Sequence, residues 1–512
     1  MSVSSKMKEN SNCPKQSECP SYDRTGELKK KIRECILDWC ENTTNHGFSN
    51  IVKADTILLR LFWVVILVLF STYCFSNIVI SITKFLAHEV VVSNQFVSES
   101  TAEYPSVTFC NLNPFDVASE PTTGEYLIEK LNQNSIMPVI TTTNGTFSYE
   151  LVNEAANLLK AIASSDKNLT PEQLEKLGFT INTMLISCYF DHVQCNTSAF
   201  SWFHDSQYGN CYTFNSLFDS SGQRKPSLIS SKTGPTHGLN LEIFTGASGI
   251  HDYYTINKGI KVAIHQRGIR PLMEYEGVYI GTGNAAYIGF TRNNYSKLPY
   301  PFNDCKKNSE KATAGDSLYF NYTLQLSRYS QRLCFEICMQ YEKIIPKCGC
   351  ADPRTPIVDE KQEICRDKMS LNCTQHQIDL LDRQDIGKLC DAYCPDECDS
   401  LTYTKTVSSA YYPSVYYSNI LQTQPNLVKK FNPENVFTPE EINDDSSEES
   451  DETDAKNLLP TQQILEKIPT KEEIRESVLM ISVYYDDLKY LYVSESQAIT
   501  FETLMGVIEN PD

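Results

Sequence analysis

The chain has 512 residues, 41% hydrophobic and 21% charged, with a formal net charge of −19 and a pI near 5.0. That length allows two to four domain-sized units, and 29 Tyr with 23 Phe make the chain too apolar and aromatic to be disordered. Nucleic acid is excluded as a partner, because the only basic run, Lys29-Lys30-Lys31 with Arg33, is flanked by Glu27 and Glu34.

Residues 1–56 read as a hydrophilic tail. From Leu61 to Thr83, 23 residues carry no charge, which at the helical rise gives roughly 35 Å, enough to cross a hydrocarbon core of about 30 Å. A membrane span is predicted over 57–83. It follows a long hydrophilic segment and no small-residue cleavage site follows it, so it reads as an uncleaved signal anchor. Residues 1–60 carry ten Lys/Arg against eight acids and the remainder 35 against 56, a mild bias towards a cytosolic N-terminus. Sequons at Asn144, Asn168, Asn196, Asn294, Asn321 and Asn372 all follow the span and favour an extracellular domain.

Beyond the span, Tyr104–Phe115 (YPSVTFCNLNPF) alternates and β-branches like a strand. Glu150–Ser164 reads as an amphipathic helix. Thr170-Pro171-Glu172 opens another, with Thr as N-cap and Pro in the first turn. Residues 259–292 are strand-rich. The uncharged stretch Thr406–Val428 holds Pro413, Pro425 and ten Ser/Thr/Asn/Gln, so it reads as loop or strand and not as a second span. Residues 435–475 read as a mobile acidic loop, with nine acids between Glu440 and Asp454. Ser477–Ser494 returns as a strand.

Cys13, Cys19, Cys35, Cys40 and Cys74 precede or lie in the span, where they stay reduced. The fourteen cysteines beyond it permit seven disulfides. Cys334 and Cys338 lie one helical turn apart, as do Cys390 and Cys394. Pairing 334 with 394 and 338 with 390 gives equal position sums, the mark of antiparallel segments joined rung by rung. Cys348–Cys373 and Cys350–Cys365 continue the nest as a distal hairpin, Cys305–Cys398 closes its base, and Cys188–Cys195 closes a tight loop inside Cys110–Cys211. The rival reading is zinc, held by Cys348-Gly349-Cys350 and the C-x3-C pairs. Outside the cell the disulfides are preferred, and no metal site or cofactor is assigned.

No catalytic residue is assigned either. Gly281-Thr282-Gly283-Asn284-Ala285-Ala286 matches a dinucleotide fingerprint, but strand-like YIGFTR follows where a helix should begin, so a hairpin turn is predicted. The eight His are scattered, with no H-E-x-x-H, and G-x-S-x-G is absent.

These features converge on one resemblance. Asn45-His46-Gly47-Phe48 before the span is similar to a His-Gly gating motif, and YPSVTFCNLNPF to the hallmark after the first span of the degenerin / epithelial sodium channel / acid-sensing ion channel family. LPYPFNDC (298–305), YSQRLCFEIC (329–338), Cys348-Gly349-Cys350, YCPDECD (393–399), SSAYYPS (408–414) and VYYDDLKY with SESQAIT (483–500) follow in family order. The resemblance implies an α+β membrane protein, with one N-terminal transmembrane helix and a large disulfide-rich extracellular domain of β palm and ball, helical finger and thumb. It divides the chain into the tail (1–56), the span (57–83), palm, ball and finger (84–304), the disulfide-ribbed thumb (305–398), a return to the palm (399–434), the acidic loop (435–475) and the last palm strand (476–512).

The implied function is that of a subunit of a voltage-independent, amiloride-sensitive sodium channel, a homo- or hetero-trimer in the plasma-membrane lipid bilayer. His46 and Gly47 would serve gating, Gly47 by letting the segment fold back near the pore axis. Phe302, where relatives often carry Trp, would couple the thumb to the first span, and the disulfide pairing above is also the one the family implies. Relatives continue into a second span with a Gly/Ser-x-Ser filter. Here SESQAITFETLMGVIENPD ends at Asp512, and Gly246-Ala247-Ser248 lies in polar sequence, so no selectivity filter is assigned. The preferred expectation is therefore a channel subunit truncated before its pore-lining helix. The alternatives are a non-conducting regulatory isoform that co-assembles with full-length subunits, and a type II receptor or adhesion ectodomain.

Overall fold

The computed structural model describes residues 24–43, 46–118, 121–134, 149–219, 222–248, 255–359, 361–381, 387–433 and 467–509. Asn45, Cys13, Cys19, Asn144 and the acidic run 440–454 lie outside them. The chain divides into two units, one of residues 1–89 with 497–512 and one of residues 90–496.

In the first unit, helices α1 (Arg24–Asn42) and α2 (His46–Lys53) lead to α3 (Ile57–Leu86). Thr56 caps α3 by accepting from the Leu59 N–H at 3.3 Å, and Lys84 stands in its last turn, where a cation suits the helix dipole. None of its residues is buried, and its apolar length is sufficient for a bilayer. The helix runs three residues past the predicted limit at Thr83.

The second unit opens with β1 (Val90–Val97), β2 (Ala102–Glu103) and β3 (Ser106–Asn111). Helices α4 (Pro121–Gln133), α5 (Tyr149–Ser164), α6 (Pro171–Leu177) and α7 (Ile181–Met184) follow. Thr170 forms a capping box with Gln173 at the start of α6. Strands β4 (Leu185–Phe190), β5 (Val193–Gln194), β6 (Phe200–Asp205), β7 (Gly209–Phe214), β8 (Ile229–Ser230), β9 (Leu239–Phe244), β10 (Gly259–His265), β11 (Val278–Gly281) and β12 (Asn284–Ser296) come next. The Gly-Thr-Gly stretch turns between β11 and β12, which excludes a dinucleotide loop there.

The cysteine-rich segment is helical. It runs through β13 (Cys305–Lys306), α8 (Leu318–Leu326), α9 (Gln331–Met339), a π turn (Gln340–Ile344), α10 (Ile345–Cys348), α11 (Lys368–Leu381), α12 (Gly387–Cys390) and β14 (Asp396–Glu397). The chain then returns through β15 (Asp399–Tyr411), α13 (Val415–Leu421), α14 (Pro425–Lys430), α15 (Lys471–Ser477), β16 (Val478–Tyr485) and β17 (Tyr490–Gln497), and α16 (Phe501–Glu509) belongs to the first unit.

An eight-stranded sheet has the order β1-β17-β12-β16-β9-β4-β5, with β15 also on β12. A five-stranded sheet has the order β11-β10-β3-β7-β6. Apolar faces of both supply one core containing Tyr104, Phe109, Tyr212, Ile243, Phe290, Ile481 and Tyr485. Gly259 is required where the second sheet closes. Its φ is +137°, and a Cβ there would stand 2.0 Å from the Ile280 carbonyl oxygen.

Three expectations need correction. Thr406–Val428 is not only strand and loop, because Ser414 caps α13 through the Tyr417 N–H and Pro425 starts α14. The segment 435–475 is not loop to its end, since a Thr470–Glu473 capping box starts α15. Ser477–Ser494 is two strands. Strand β16 pairs with Ala285–Phe290 of β12 and β17 with Asn293–Ser296, and the intervening chain loops out by three extra residues. Asp486 and Asp487 cause the break. The Asp486 N–H donates to the Phe290 carbonyl as the last rung, and the Asp487 carboxylate then accepts the Lys489 N–H at 3.0 Å, a turn in place of further ladder.

Candidate functional site

Seven disulfides join Cys110 to Cys211, Cys188 to Cys195, Cys305 to Cys398, Cys334 to Cys394, Cys338 to Cys390, Cys348 to Cys373 and Cys350 to Cys365. Cys35, Cys40 and Cys74 are free thiols. The Cys334–Cys394 and Cys338–Cys390 bridges are buried with Phe320 and Tyr329. At the distal end, Gln340 donates to the Asp352 carbonyl at 2.9 Å and accepts the Asp352 N–H at 3.0 Å. That reciprocal pair fixes the hairpin to the end of α9.

The fixed hairpin forms one wall of a cavity of about 400 Å³. Helix α5 contributes Asn157 and Ser164, the end of β6 His204 and Asp205, the β6–β7 turn Gln207, the segment after β10 Arg270 and Glu274, α9 Glu336, the hairpin Arg354, and α11 Gln375. A second cavity of about 220 Å³ adjoins it and shares Asn157, Gln207 and Glu274.

Its charges are held by specific bonds. Arg354 chelates Asp352 through Nε at 2.9 Å and Nη2 at 2.6 Å and also donates to Gln375. The pairing outweighs desolvation, holding the Asp352 carboxyl below its ordinary range and raising the Arg354 guanidinium. Asp205 accepts the N–H groups of Gln207 at 3.0 Å and Tyr208 at 3.1 Å, yet burial pushes its carboxyl up. Arg270 donates to the His204 carbonyl at 3.1 Å and lies over the Phe203 ring. Lys261, 2% exposed, donates to Tyr208, Tyr279 and the Glu274 carbonyl at 2.9–3.1 Å. Guanidinium and carboxylate groups from separate segments thus line one cavity.

Two imidazoles, His204 in the cavity lining and His265 in β10, have lowered pKa values. His204 meets Ser164 Oγ through Nε2 at 2.9 Å, while its buried Nδ1 has no hydrogen-bond partner. Burial, with Arg270 nearby, pushes its imidazole down to about 4 from 6.5. His265, bonded to Thr108 Oγ1 at 2.8 Å, is pushed by burial to about 4 as well. Both stay neutral in the folded state where the unfolded chain takes up protons. Their contribution is therefore present above about pH 6.5 and lost as pH falls towards 4. The folded domain should melt at a lower temperature at about pH 5 than at about pH 7.5, and His265→Gln should reduce that difference. An unaltered pH dependence in the variant would contradict this assignment.

None of the other described residues singled out by sequence lines the cavity. His46 is the first residue of α2 and Gly47 the second. Phe302 follows the cis Tyr300–Pro301 bond. Asn168, Asn196 and Asn372 are exposed, whereas Asn294 sits in β12 between β15 and β17 with a buried Oδ1, and Asn321 donates to the Ser317 carbonyl. Motif reading missed His204, Asp205, Arg270, Glu274 and Arg354. They come from separate segments, and no spacing links them.

The chain matches the family model described as amiloride-sensitive sodium channel over residues 39–510. It is 28% identical over 343 residues to degenerin del-1 of Caenorhabditis elegans, covering 66% of this chain and 42% of that one. It is 25% identical over 424 residues to the FMRFamide-activated amiloride-sensitive sodium channel of Cornu aspersum, covering 75% and 63%. It is 26% identical over 425 residues to acid-sensing ion channel 1 of Gallus gallus, covering 78% and 73%. The chain spans less than two thirds of the length of the first two of these relatives.

Proposed function

The chain belongs to the amiloride-sensitive sodium channel family, and from that premise we propose that it is a subunit of a voltage-independent, sodium-selective, amiloride-blocked channel. The observation that carries this reading is an unburied apolar helix joined to a domain cross-linked by seven disulfides, within one family match from residue 39 to 510. The subunit assembles with copies of itself or with related subunits, as a trimer, in the plasma membrane. His46 and Gly47 act in gating from the segment just before the span, and Phe302 acts in coupling. The family is one of ion channels, and the proposed cargo is sodium.

Co-expression with a related channel subunit tests the proposal. Co-precipitation from surface membranes, with a change in amiloride-sensitive sodium current, is the expected result. Failure to assemble either with itself or with the related subunit, together with an unaltered current, would refute it.

The proposed orientation places residues 1–56 in the cytosol and the disulfide-rich domain outside. The disulfides support it, because thiols stay reduced in the cytosol. Glycosidase should then shrink the protein from membrane fractions. Asn168→Gln, Asn196→Gln and Asn372→Gln should each remove one glycan, since those side chains are exposed. Asn294→Gln should remove none, since its half-buried side chain has its amide oxygen buried within the sheet. No shift in any variant would overturn the orientation.

A further inference from the structure

Away from the cavity, Asp191, His192 and His237 bring three ligand atoms within 4.8 Å of one another. The framework that holds them is stiff. Asp191 and His192 form the two-residue turn between β4 and β5, with φ of 46° and 65°. Two consecutive positive φ values belong to the hairpin turn that matches strand twist, usually built from Asn and Gly. Asp and His are among the non-glycine residues that tolerate that backbone state. The Cys188–Cys195 disulfide ties β4 to the residue just after β5, four residues from Cys188 to His192 and three from His192 to Cys195.

The third residue is fixed independently. His237 ends a short 3-10 turn, Pro235–His237, whose Gly234 N–H donates to the Tyr485 carbonyl at 3.0 Å. The Asp191 N–H donates to the Gly238 carbonyl at 3.3 Å, which locks the two loops together. His237 Nδ1 already lies 2.8 Å from Asp191 Oδ1, and the two imidazole centroids are 4.9 Å apart at 84°. Asp191 and His192 are exposed and His237 half-buried, so a solvated ion can reach the group.

We propose that Asp191, His192 and His237 form a Zn²⁺ site on the surface of the second unit. Two borderline imidazoles and one carboxylate are a ligand set of the kind that zinc takes at about 2.0–2.2 Å, leaving one position of a tetrahedron for water. Hard cations such as Ca²⁺ and Mg²⁺ need several oxygen ligands, and this group offers one carboxylate. The rings need only modest rotation to converge, and exposed side chains rotate at little cost. Lys232 also acts on the Asp191 carboxylate and so limits the affinity. A bound ion would clip the β4–β5 hairpin to the loop that carries His237. The proposal does not rest on the channel reading, because it concerns binding alone.

The test is calorimetric titration of the purified full chain, carrying a tag without histidine, with ZnCl2. Saturable binding is expected, with His192→Ala and His237→Ala each weakening it at least about tenfold, while MgCl2 and CaCl2 give no saturable signal. Binding that is absent from the parent chain, or equal in parent and both variants, would overturn the proposal. His192→Ala serves if His237→Ala fails to reach the membrane, since it only trims an exposed ring on the turn.

Discussion

Replacing Cys334 and Cys394 together by serine should destabilise the disulfide-rich domain by roughly 4 kcal/mol, because the bridge closes a loop of 60 residues. Both sulfurs are fully buried against Phe320 and Tyr329, so the loss includes packing as well as chain entropy. The matching double change at Cys350 and Cys365, a loop of 15 residues, should cost less, roughly 3 kcal/mol. Denaturant unfolding of the purified protein measures both. Surface biotinylation should show most of the Cys334–Cys394 variant retained inside the cell. Equal stability of that variant and the parent would remove the ladder from any structural role.

Tyr104→Ala should cost about 3–5 kcal/mol, the range for deleting a large buried aromatic. Tyr104 is 1% exposed, and its ring meets Phe190, Phe214, Phe290 and Tyr485 with centroids 4.8–6.4 Å away. Its hydroxyl donates to the Val483 carbonyl at 2.7 Å and accepts the Leu239 N–H at 3.3 Å. One side chain therefore bridges β9, β16 and the start of the five-stranded sheet. Tyr104→Phe isolates the polar part and should cost about 1 kcal/mol. Thermal melting of the two variants separates ring from hydroxyl. A Phe variant as damaged as the Ala variant would mean that the hydroxyl, and not the aromatic cluster, holds the sheets.

What could be read from the chain beforehand was what local chemistry decides. Leu61–Thr83 announces a span because no charge interrupts it, and Thr170-Pro171 announces a helix start because capping needs only near neighbours. Paired C-x3-C spacings announce a helical ladder because one helical turn puts both sulfurs on a face. The break at Asp486-Asp487 was hidden because its partner, Phe290, lies far away in sequence. The short helices α13 and α14 were hidden because Ser, Tyr and Asn carry no strong helical signal. The cavity was hidden for a related reason. Arg270, Glu274 and Arg354 meet only after the β6–β7 turn, α9 and the distal hairpin have packed, and no spacing rule spans such distances. The Asp191–His192–His237 group lacks a motif for the same cause, although a positive-φ pair inside a seven-residue disulfide loop is a short-range oddity.

The edge formed by β1 and β17 has a mechanical consequence. The Ala498 N–H donates to the Glu89 carbonyl and Ser496 Oγ to the Val91 carbonyl, so the two strands run in opposite directions. The chain therefore enters and leaves the large sheet at a single corner. A pull shared equally by the two connections loads the rungs of β17 and β12 at Asn293–Ser296 in shear, where the bonds must fail together. A pull that parts the connections opens the β1–β17 rungs one after another, and each bond carries the whole load in turn. The same corner is stiff against the first kind of pull and compliant towards the second, so the direction of a force matters there as much as its size.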